Sequence, residues 1–211
     1  MAGTWLVRCP KEGGTYFHRG DSREEMSDYF EYLSRRNPLS YVYRKWILYP
    51  RYRSLLPGGG IDVGCGLGDF LSFTGNFVGV DVNDKVVDYC REQGLDVSLG
   101  SVYDLPFEDG FVENAILDNV FEHLDRPPDC LRELSRVLKP GGRILLVVPN
   151  RRGWKLDATH ITFWDETNLP QLVTQEGFDV LKARHFPLPS KAVGNISAYN
   201  VFYLLARKKS A

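Results

Sequence analysis

The chain has 211 residues, 43% of them hydrophobic and 25% charged, and its 26 basic residues nearly balance its 27 acidic ones. This length and composition suit one globular α/β domain with added segments. The formal net charge of −1 argues against a generally basic nucleic-acid-binding protein. The sequence shows neither an apolar run of 18 residues nor a secretion signal at its start, so we expect a cytoplasmic protein without a transmembrane segment.

The N-terminal region and the four scattered cysteines give little sign of a metal site. The cysteines form no Cys-x-x-Cys pair, and we expect them to be reduced thiols. Near the N terminus, Cys9 and His18 supply only two of the four ligands that a structural zinc ion needs. The sequence therefore predicts an irregular N-terminal arm over residues 1–20 and no metal site.

The next segment, residues 21–56, is helical in pattern and rich in cations and aromatic rings. Asp21 or Ser22 can cap a first helix, which Asn37-Pro38 then breaks. No acidic residue occurs between residues 34 and 56. Residues 29–53 fit two interpretations: a patch for an anionic or aromatic partner, or helices laid across a sheet edge with aromatics inward and cations in water. We assign residues 1–56 to an N-terminal arm and helical lid.

From residue 57 onward, strand and helix patterns alternate regularly. Short apolar runs predict strands at residues 61–63, 77–82, 96–99, 115–117 and 143–148, with helices at residues 84–94 and 128–138 between them. Two further strands are predicted at residues 180–185 and 201–207. Alternating strands and helices indicate a parallel sheet with right-handed crossovers, and we take residues 57–211 as one domain.

Three glycines follow the first of these strands, at Gly64, Gly66 and Gly68. A glycine turn at the carboxyl end of a parallel strand is where nucleotide ligands bind in α/β sheets. A dinucleotide site favours Gly-x-Gly-x-x-Gly and a helix N-terminus aimed at pyrophosphate. Here the spacing is Gly-x-Gly-x-Gly, and Asp69 stands at the head of the helix. Its carboxylate would repel pyrophosphate but tolerate a cationic ligand.

Further acidic residues follow neighbouring strands and sharpen this expectation. Asp62 lies within the strand before the turn, and Asp81 ends the second strand, where a carboxylate can accept both ribose hydroxyls. Asp104, after the third strand, can accept from the exocyclic amine of adenine. Ribose, adenine and a positive charge without phosphate describe S-adenosylmethionine. The alternative is that the turn binds NAD.

Five motifs in order carry a resemblance to a known family. They are Asp-Val-Gly-Cys-Gly-Leu-Gly (62–68), Gly-Val-Asp (79–81), Asp-Leu-Pro-Phe (104–107), Asn-Val-Phe-Glu-His-Leu (119–124) and Leu-Lys-Pro-Gly-Gly (138–142). Together the motifs resemble a class I S-adenosylmethionine-dependent methyltransferase of the small-molecule or glycan type. The resemblance implies a Rossmann-like α/β fold. Its seven-stranded sheet would be mostly parallel with the last strand antiparallel, and helices would cover both faces.

The same resemblance implies which residues bind the cofactor. The glycine turn would contact the methionine part, Asp81 the ribose, Asp104 the adenine amine, and Asp118 with Asn119 the amino-acid end. The full expected set is Asp62, Gly64, Cys65, Gly66, Gly68, Asp81, Val82, Ser101, Val102, Tyr103, Asp104, Asp118, Asn119 and Val120.

Two histidines are candidates for moving a proton from the methyl acceptor, because histidine titrates near neutral pH. His160 lies beyond the fifth strand, on the acceptor side of such folds, and we expect Asp157 to orient it. His123 follows the fourth strand. The predicted catalytic set is His160, His123 and Asp157. The alternatives are a structural or cofactor-side role for His123 and an ordinary hydrogen-bonded loop histidine at position 160.

The acceptor is less well defined than the cofactor. The residues after the fourth strand, Asp118-Asn119-Val120-Phe121, lack the Asp/Asn-Pro-Pro-aromatic motif of DNA amino-methyltransferases, so DNA is not expected. We expect O- or N-methylation of a small-molecule or sugar acceptor, anionic or aromatic, by a monomer or homodimer. Peripheral membrane contact stays open. The alternatives are an RNA or protein methyltransferase and an inactive methyltransferase-fold binding or regulatory protein.

Overall fold

The computed structural model describes residues 4–8, 15–19, 30, 33, 37–189 and 200–209. At the N terminus, strand β1 (Thr4–Arg8) pairs antiparallel with β2 (Thr15–Arg19). The predicted irregular arm is therefore wrong for these two stretches. Both are rich in β-branched and aromatic residues, which favour strands, and Gly13-Gly14 between them is a sequence typical of hairpin turns. Cys9 lies outside the described residues.

The helical segment before the sheet is described from residue 37 onward. It runs through α1 (Pro38–Tyr43), one π-helical turn (Arg44–Leu48) and α2 (Tyr49–Leu55). The Asn37 side chain accepts a hydrogen bond from the Leu39 amide at 2.9 Å and so caps α1. The first predicted helix, from Asp21 or Ser22, lies outside the described residues except for Phe30 and Leu33, which are both helical.

The rest of the chain builds one seven-stranded sheet with its helices. The strands are β3 (Gly60–Val63), β4 (Phe77–Asp81), β5 (Val97–Leu99), β6 (Val112–Asp118), β7 (Leu138–Pro149), β8 (Phe178–Phe186) and β9 (Val201–Lys208). The helices are α3 (Asp69–Thr74), α4 (Asp84–Glu92), α5 (Pro127–Val137), α6 (Arg151–Trp154) and α7 (Asn168–Gln175), with a 3₁₀ turn at Phe121–His123. The seven predicted strands are all present, and β7 begins five residues before its predicted start at Arg143.

The order of strands across the sheet is β5-β4-β3-β6-β7-β9-β8. The β3 strand pairs in parallel with both β4 and β6, where Ile61 faces Val78 on one side and Ala115 on the other. The last strand, β9, runs antiparallel to both β7 and β8. This arrangement confirms the predicted Rossmann-like sheet. It also brings the carboxyl ends of β3, β4 and β6 together at one end of the strands, where the candidate site lies.

Apolar cores fill both faces of this sheet. On one face α5 and α7 bury Leu131, Leu134 and Val173 against β6, β7 and β9. On the other, the π-helical turn and α2 pack Leu48, Tyr52 and neighbouring side chains into a cluster with α3 and α4. The segment before the sheet thus shares a core with the sheet itself. In the described part of the chain, no helix combines the length and apolarity needed to cross a membrane.

Candidate active site

The glycine turn between β3 and α3 has a left-handed backbone at each of its three glycines. The φ angles of Gly64, Gly66 and Gly68 are 75°, 51° and 73°. A Cβ at Gly64 would lie 2.5 Å from Val120 Cγ2, and one at Gly68 would lie 2.3 Å from Leu95 Cδ1. Gly64 and Gly68 are therefore needed for packing within the protein. Among the described residues, the nearest atom to a Cβ at Gly66 would be Leu33 Cδ1 at 3.8 Å, which leaves room for a ligand beside its backbone.

Three buried carboxyl groups surround this turn. Asp62 is 4% exposed and Asp81 is 5% exposed, and the Asp118 side chain is similarly buried. Burial raises the pKa of all three groups, and the nearby Asp118 carboxylate raises the pKa of Asp62 further. Because the Arg44 guanidinium pairs with Asp118, Asp62 and Asp81 are the acidic groups left to face a ligand, and they disfavour a pyrophosphate.

Asp81 also fixes the shape of the turn. One of its carboxylate oxygens, Oδ2, accepts a hydrogen bond from the Gly66 amide at 3.0 Å, and the other, Oδ1, accepts one from the Asn83 amide at 3.0 Å. These two contacts join the end of β4 to the glycine turn. A carboxylate offers about four acceptor positions, so Asp81 keeps capacity for ligand hydroxyls while it holds the loop.

The remaining predicted cofactor residues line the same edge of the sheet. Val82 follows Asp81 and is partly exposed, while Val102 packs at the margin of the core. The Asp104 amide donates to the Ser101 carbonyl at 3.1 Å, which forms a tight turn after β5. Tyr103 donates to Asp125, and Arg126 lies 4.4 Å from the centre of its ring. Cys65, a buried thiol, lies inside the glycine turn. Their cofactor roles stay predictions.

Asn119 takes a backbone conformation that non-glycine residues seldom adopt. Its φ is 57°. The Asn119 amide donates to the Val147 carbonyl at 2.9 Å, and its side-chain amide donates to Asp118 Oδ1 at 2.9 Å. These contacts hold the end of β6 in a strained turn, and such strain clusters at functional sites.

Arg44, in the π-helical turn, is a site residue that the sequence did not reveal. Its guanidinium pairs with Asp118, and its Nε donates to the Tyr49 hydroxyl at 3.2 Å. Arg51 likewise donates to the Tyr203 hydroxyl at 2.6 Å. The interpretation that placed the cations of this segment in water is therefore wrong for both arginines. The same interpretation placed the aromatic rings inward. This is right for Tyr49, which is buried, whereas Trp46 is 71% exposed.

A second group of polar residues lies where β6 and β7 end. The rings of His123 and His160 have centroids 4.7 Å apart. His160 Nε2 is 3.8 Å from Oε1 of Glu122, which is fully buried. The Glu122 carbonyl accepts hydrogen bonds from the Ile161 and Thr162 amides. The loop that carries His160 is thereby fixed to the turn that carries His123.

The partners of these histidines differ from the expected ones. His160 Nδ1 lies 2.7 Å from the Trp154 carbonyl oxygen, which must accept its proton. Asp157 Oδ1 accepts from the Thr159 hydroxyl at 2.6 Å, and that hydroxyl lies 3.2 Å from His123 Nδ1. Asp157 therefore reaches His123 through Thr159, and the backbone of Trp154, not Asp157, orients His160.

Burial and hydrogen bonding set the charge of this group. Burial holds the pKa of Glu122 well above its usual range. Burial, together with the neighbouring His160, lowers the pKa of His123. Burial opposes ionisation of Asp157, but the hydrogen bonds from Thr159 outweigh it and lower the pKa of Asp157. Neutral His123 beside an ionised Asp157 is the form expected near neutral pH.

Comparison with known proteins identifies the class. Residues 61–146 match the family model for the methyltransferase domain. A crystal structure of an S-adenosylmethionine-dependent methyltransferase from Thermotoga maritima superposes with a TM-score of 0.68 at 21% identity, over 89% of this chain and 98% of that one. The fold and the family match thus identify a methyltransferase domain, and domains of this class use S-adenosyl-L-methionine as their cofactor.

Sequence relatives agree with this class. The tRNA (carboxymethyluridine(34)-5-O)-methyltransferase of Arabidopsis thaliana is 32% identical over 50% of this chain and 28% of its own length. An uncharacterized 37.1 kDa protein from a Streptomyces fradiae transposon is 35% identical over 43% of this chain and 30% of its own length. The chain thus spans about a third of these relatives. The family match places residues 61–146 in a methyltransferase domain.

The open face of Gly66 gives a direct test of the cofactor site. Gly66→Ala is expected to weaken S-adenosylmethionine binding at least about tenfold, because the new methyl group fills space that the backbone leaves to the ligand. Backbone strain should cost only about 1 kcal/mol of stability. Gly75→Ala is the matched control, since Gly75 has φ 68° and open space around it at the end of α3. Equal affinities of the two variants, measured by calorimetry, would contradict this role.

Proposed function

We propose that this chain transfers a methyl group from S-adenosylmethionine to an oxygen or nitrogen of a small-molecule or glycan-type acceptor. The observation that carries the proposal is the cluster of buried carboxyl groups, Asp62, Asp81 and Asp118, around a glycine turn with one open backbone face. This arrangement suits a ligand that carries a positive charge and hydroxyl groups but no phosphate.

The residues of the turn fit the cofactor in chemical terms. Asp81 would accept from the ribose hydroxyls, and Gly66 would allow close approach of the methionine part. Asp62 would counter a positive charge of the cofactor, Asp118, which already pairs with Arg44, would contact the amino-acid end, and Asp104 would accept from the adenine amine. When bound, S-adenosylmethionine supplies an electrophilic methyl group, and the protein contributes mainly proximity and orientation.

The acceptor would lie toward His123 and His160, which follow β6 and β7 at the same edge of the sheet. Val120 joins the two parts of the site, because it packs on Gly64 and precedes the Glu122-His123 turn. A hydroxyl acceptor must lose a proton as it reacts, and the proposed role of the histidines, with Asp157, is to hold or accept that proton. We propose residues 1–56 as the lid over this side and residues 57–211 as the cofactor-binding domain.

A second candidate acceptor is RNA. The observation that favours it is the similarity to relatives named as tRNA methyltransferases in Arabidopsis thaliana and Mus musculus. The alignments cover at most 28% of those proteins, so they support the shared domain more than the shared acceptor. The balanced charge of this chain does not favour an RNA surface.

A methyl-transfer assay with each class of acceptor in turn separates these alternatives. The protein is incubated with methyl-tritiated S-adenosylmethionine and either total tRNA or a panel of sugars, phenols and amines. We expect label in a small-molecule pool and none above background in tRNA. Label in tRNA that Asp81→Ala abolishes would instead establish the RNA acceptor. No transfer to any pool, despite tight cofactor binding, would favour an inactive binding protein.

A further inference from the structure

The turn at the end of β6 contains a buried carboxyl group whose oxygens lack a hydrogen-bond partner in the described part of the chain. Glu122 is fully buried, and among the described residues no side chain or backbone group of another residue donates a hydrogen bond to either of its carboxylate oxygens. Burying a carboxyl group without a hydrogen-bond partner costs folding free energy. His160 Nε2 lies 3.8 Å from Glu122 Oε1, which is too far for a hydrogen bond.

Hydrogen-bond accounting shows which nitrogen of each histidine carries the proton. The Trp154 carbonyl can only accept, so His160 Nδ1, at 2.7 Å, is the donor. The single proton of the Thr159 hydroxyl goes to Asp157 at 2.6 Å, so this oxygen accepts from His123 Nδ1. The lone pair of each neutral histidine is therefore on Nε2. The lone pair of His160 lies beside the Glu122 carboxyl group.

The Glu122 carboxyl group has no hydrogen-bond partner among the described residues, and a metal ion held between it and the histidine lone pairs would satisfy all three groups. Three residues each offer one ligand atom, and these three atoms lie within 4.8 Å of one another. The residues are Glu122, His123 and His160. A zinc ion with bonds of about 2.1 Å holds its ligand atoms roughly 3.4 Å apart. The three ligand atoms are therefore at most about 1.4 Å farther apart than in a zinc site.

We propose that Glu122, His123 and His160 form a binding site for a divalent transition-metal ion such as Zn²⁺. Two imidazoles and one carboxylate form a typical ligand set for such ions, and they leave a position for a further ligand. The hydrogen bonds from His160 to the Trp154 carbonyl and from His123 to Thr159 are the outer partners that metal-binding histidines usually have.

The metal site stands on this geometry and does not depend on the proposed methyl transfer. If both hold, the ion would lie on the acceptor side. A metal-bound hydroxyl loses its proton more readily than an unbound one. Glu122, His123 and His160 would then act on the acceptor through the ion.

The test is direct metal binding by the full chain after treatment with a chelator. Zn²⁺ is titrated by calorimetry and Co²⁺ by visible absorption, which reports imidazole and carboxylate ligands without any turnover. We expect one ion per chain and an affinity at least about 100-fold weaker in Glu122→Gln. Asp157→Asn, which changes only an outer partner, is expected to weaken binding about 10-fold to 100-fold.

Two controls exclude other metal sites. His185→Ala removes another histidine–carboxylate pair, with Glu166 at 3.2 Å, and Cys9→Ser removes the N-terminal thiol; both should keep full affinity. Circular dichroism checks the fold of each variant, and His160→Gln replaces Glu122→Gln if the latter is unfolded. Absence of binding by the wild type, equal binding by Glu122→Gln or His160→Gln, or loss of binding in Cys9→Ser would overturn the proposal.

Discussion

Replacing His160 with alanine is expected to abolish methyl transfer while leaving the affinity for S-adenosylmethionine unchanged. The His160 ring packs on His123 and its Nδ1 contacts the Trp154 carbonyl, and these contacts involve none of the three carboxyl groups around the glycine turn. Because proton transfer by a positioned side chain contributes about 10²-fold to 10⁴-fold, turnover should fall by at least about 100-fold. Single-turnover rates and calorimetric affinities measure the two effects separately.

The matched control for this experiment is His185→Ala. His185 is also largely buried and lies beside a glutamate, but it is on β8, at the far edge of the sheet. It should retain the rate of the wild type. If His160→Ala lowers the cofactor affinity as far as it lowers the rate, His160 belongs to the cofactor site. The metal titration then separates direct proton transfer from action through an ion.

Replacing Arg44 with methionine is expected to lower the free energy of unfolding by about 2–4 kcal/mol at neutral pH. The Arg44 side chain is 27% exposed but Asp118 is only 9% exposed, so removing Arg44 leaves a buried charge without compensation, and Asp118 would keep only the neighbouring Asn119 amide as a described hydrogen-bond donor. Lys45→Met is the control, since Lys45 is an exposed cation beside Arg44 and should cost less than about 0.5 kcal/mol. Denaturant unfolding measures both variants.

The pH dependence of this loss has a definite sign. Without Arg44 the pKa of Asp118 should rise further, because burial already raises it and Arg44 opposes that shift. When folding raises the pKa of an acidic group, the folded protein loses stability as the pH rises through the folded-state pKa. The gap between Arg44→Met and wild type should therefore be small below about pH 4 and full at neutral pH. The double variant Arg44→Met/Asp118→Asn should recover part of the loss, and a gap that does not vary with pH would contradict the ion-pair explanation.

The fold, and the meeting of the glycine turn with acidic residues at one end of the sheet, could be predicted from the sequence because both rest on local signals. Apolar runs of strand length alternate with helical patterns, and the glycines at positions 64, 66 and 68 need left-handed backbone that other residues avoid. Acidic residues at the ends of parallel strands must meet at one edge of the sheet. Asp62, Asp81 and Asp118 therefore could be brought together without a structure.

The features that the sequence missed depend on contacts between distant residues. Arg44 looks like any exposed cation of an amphipathic helix until its partner, 74 residues away, is known. Glu122 stands next to a predicted histidine, but only the structure shows that it is fully buried. The hairpin of β1 and β2 had a usable signal, since strand-forming residues flank Gly13-Gly14.

The central claim is that the glycine turn and its carboxyl groups bind S-adenosylmethionine. Calorimetric titration of the wild-type chain with S-adenosylmethionine, and in parallel with NAD, tests it most directly. We expect saturable binding of S-adenosylmethionine at one site per chain, competition by S-adenosylhomocysteine, and no binding of NAD. A folded chain that binds NAD more tightly, or that binds no S-adenosylmethionine, would contradict the account.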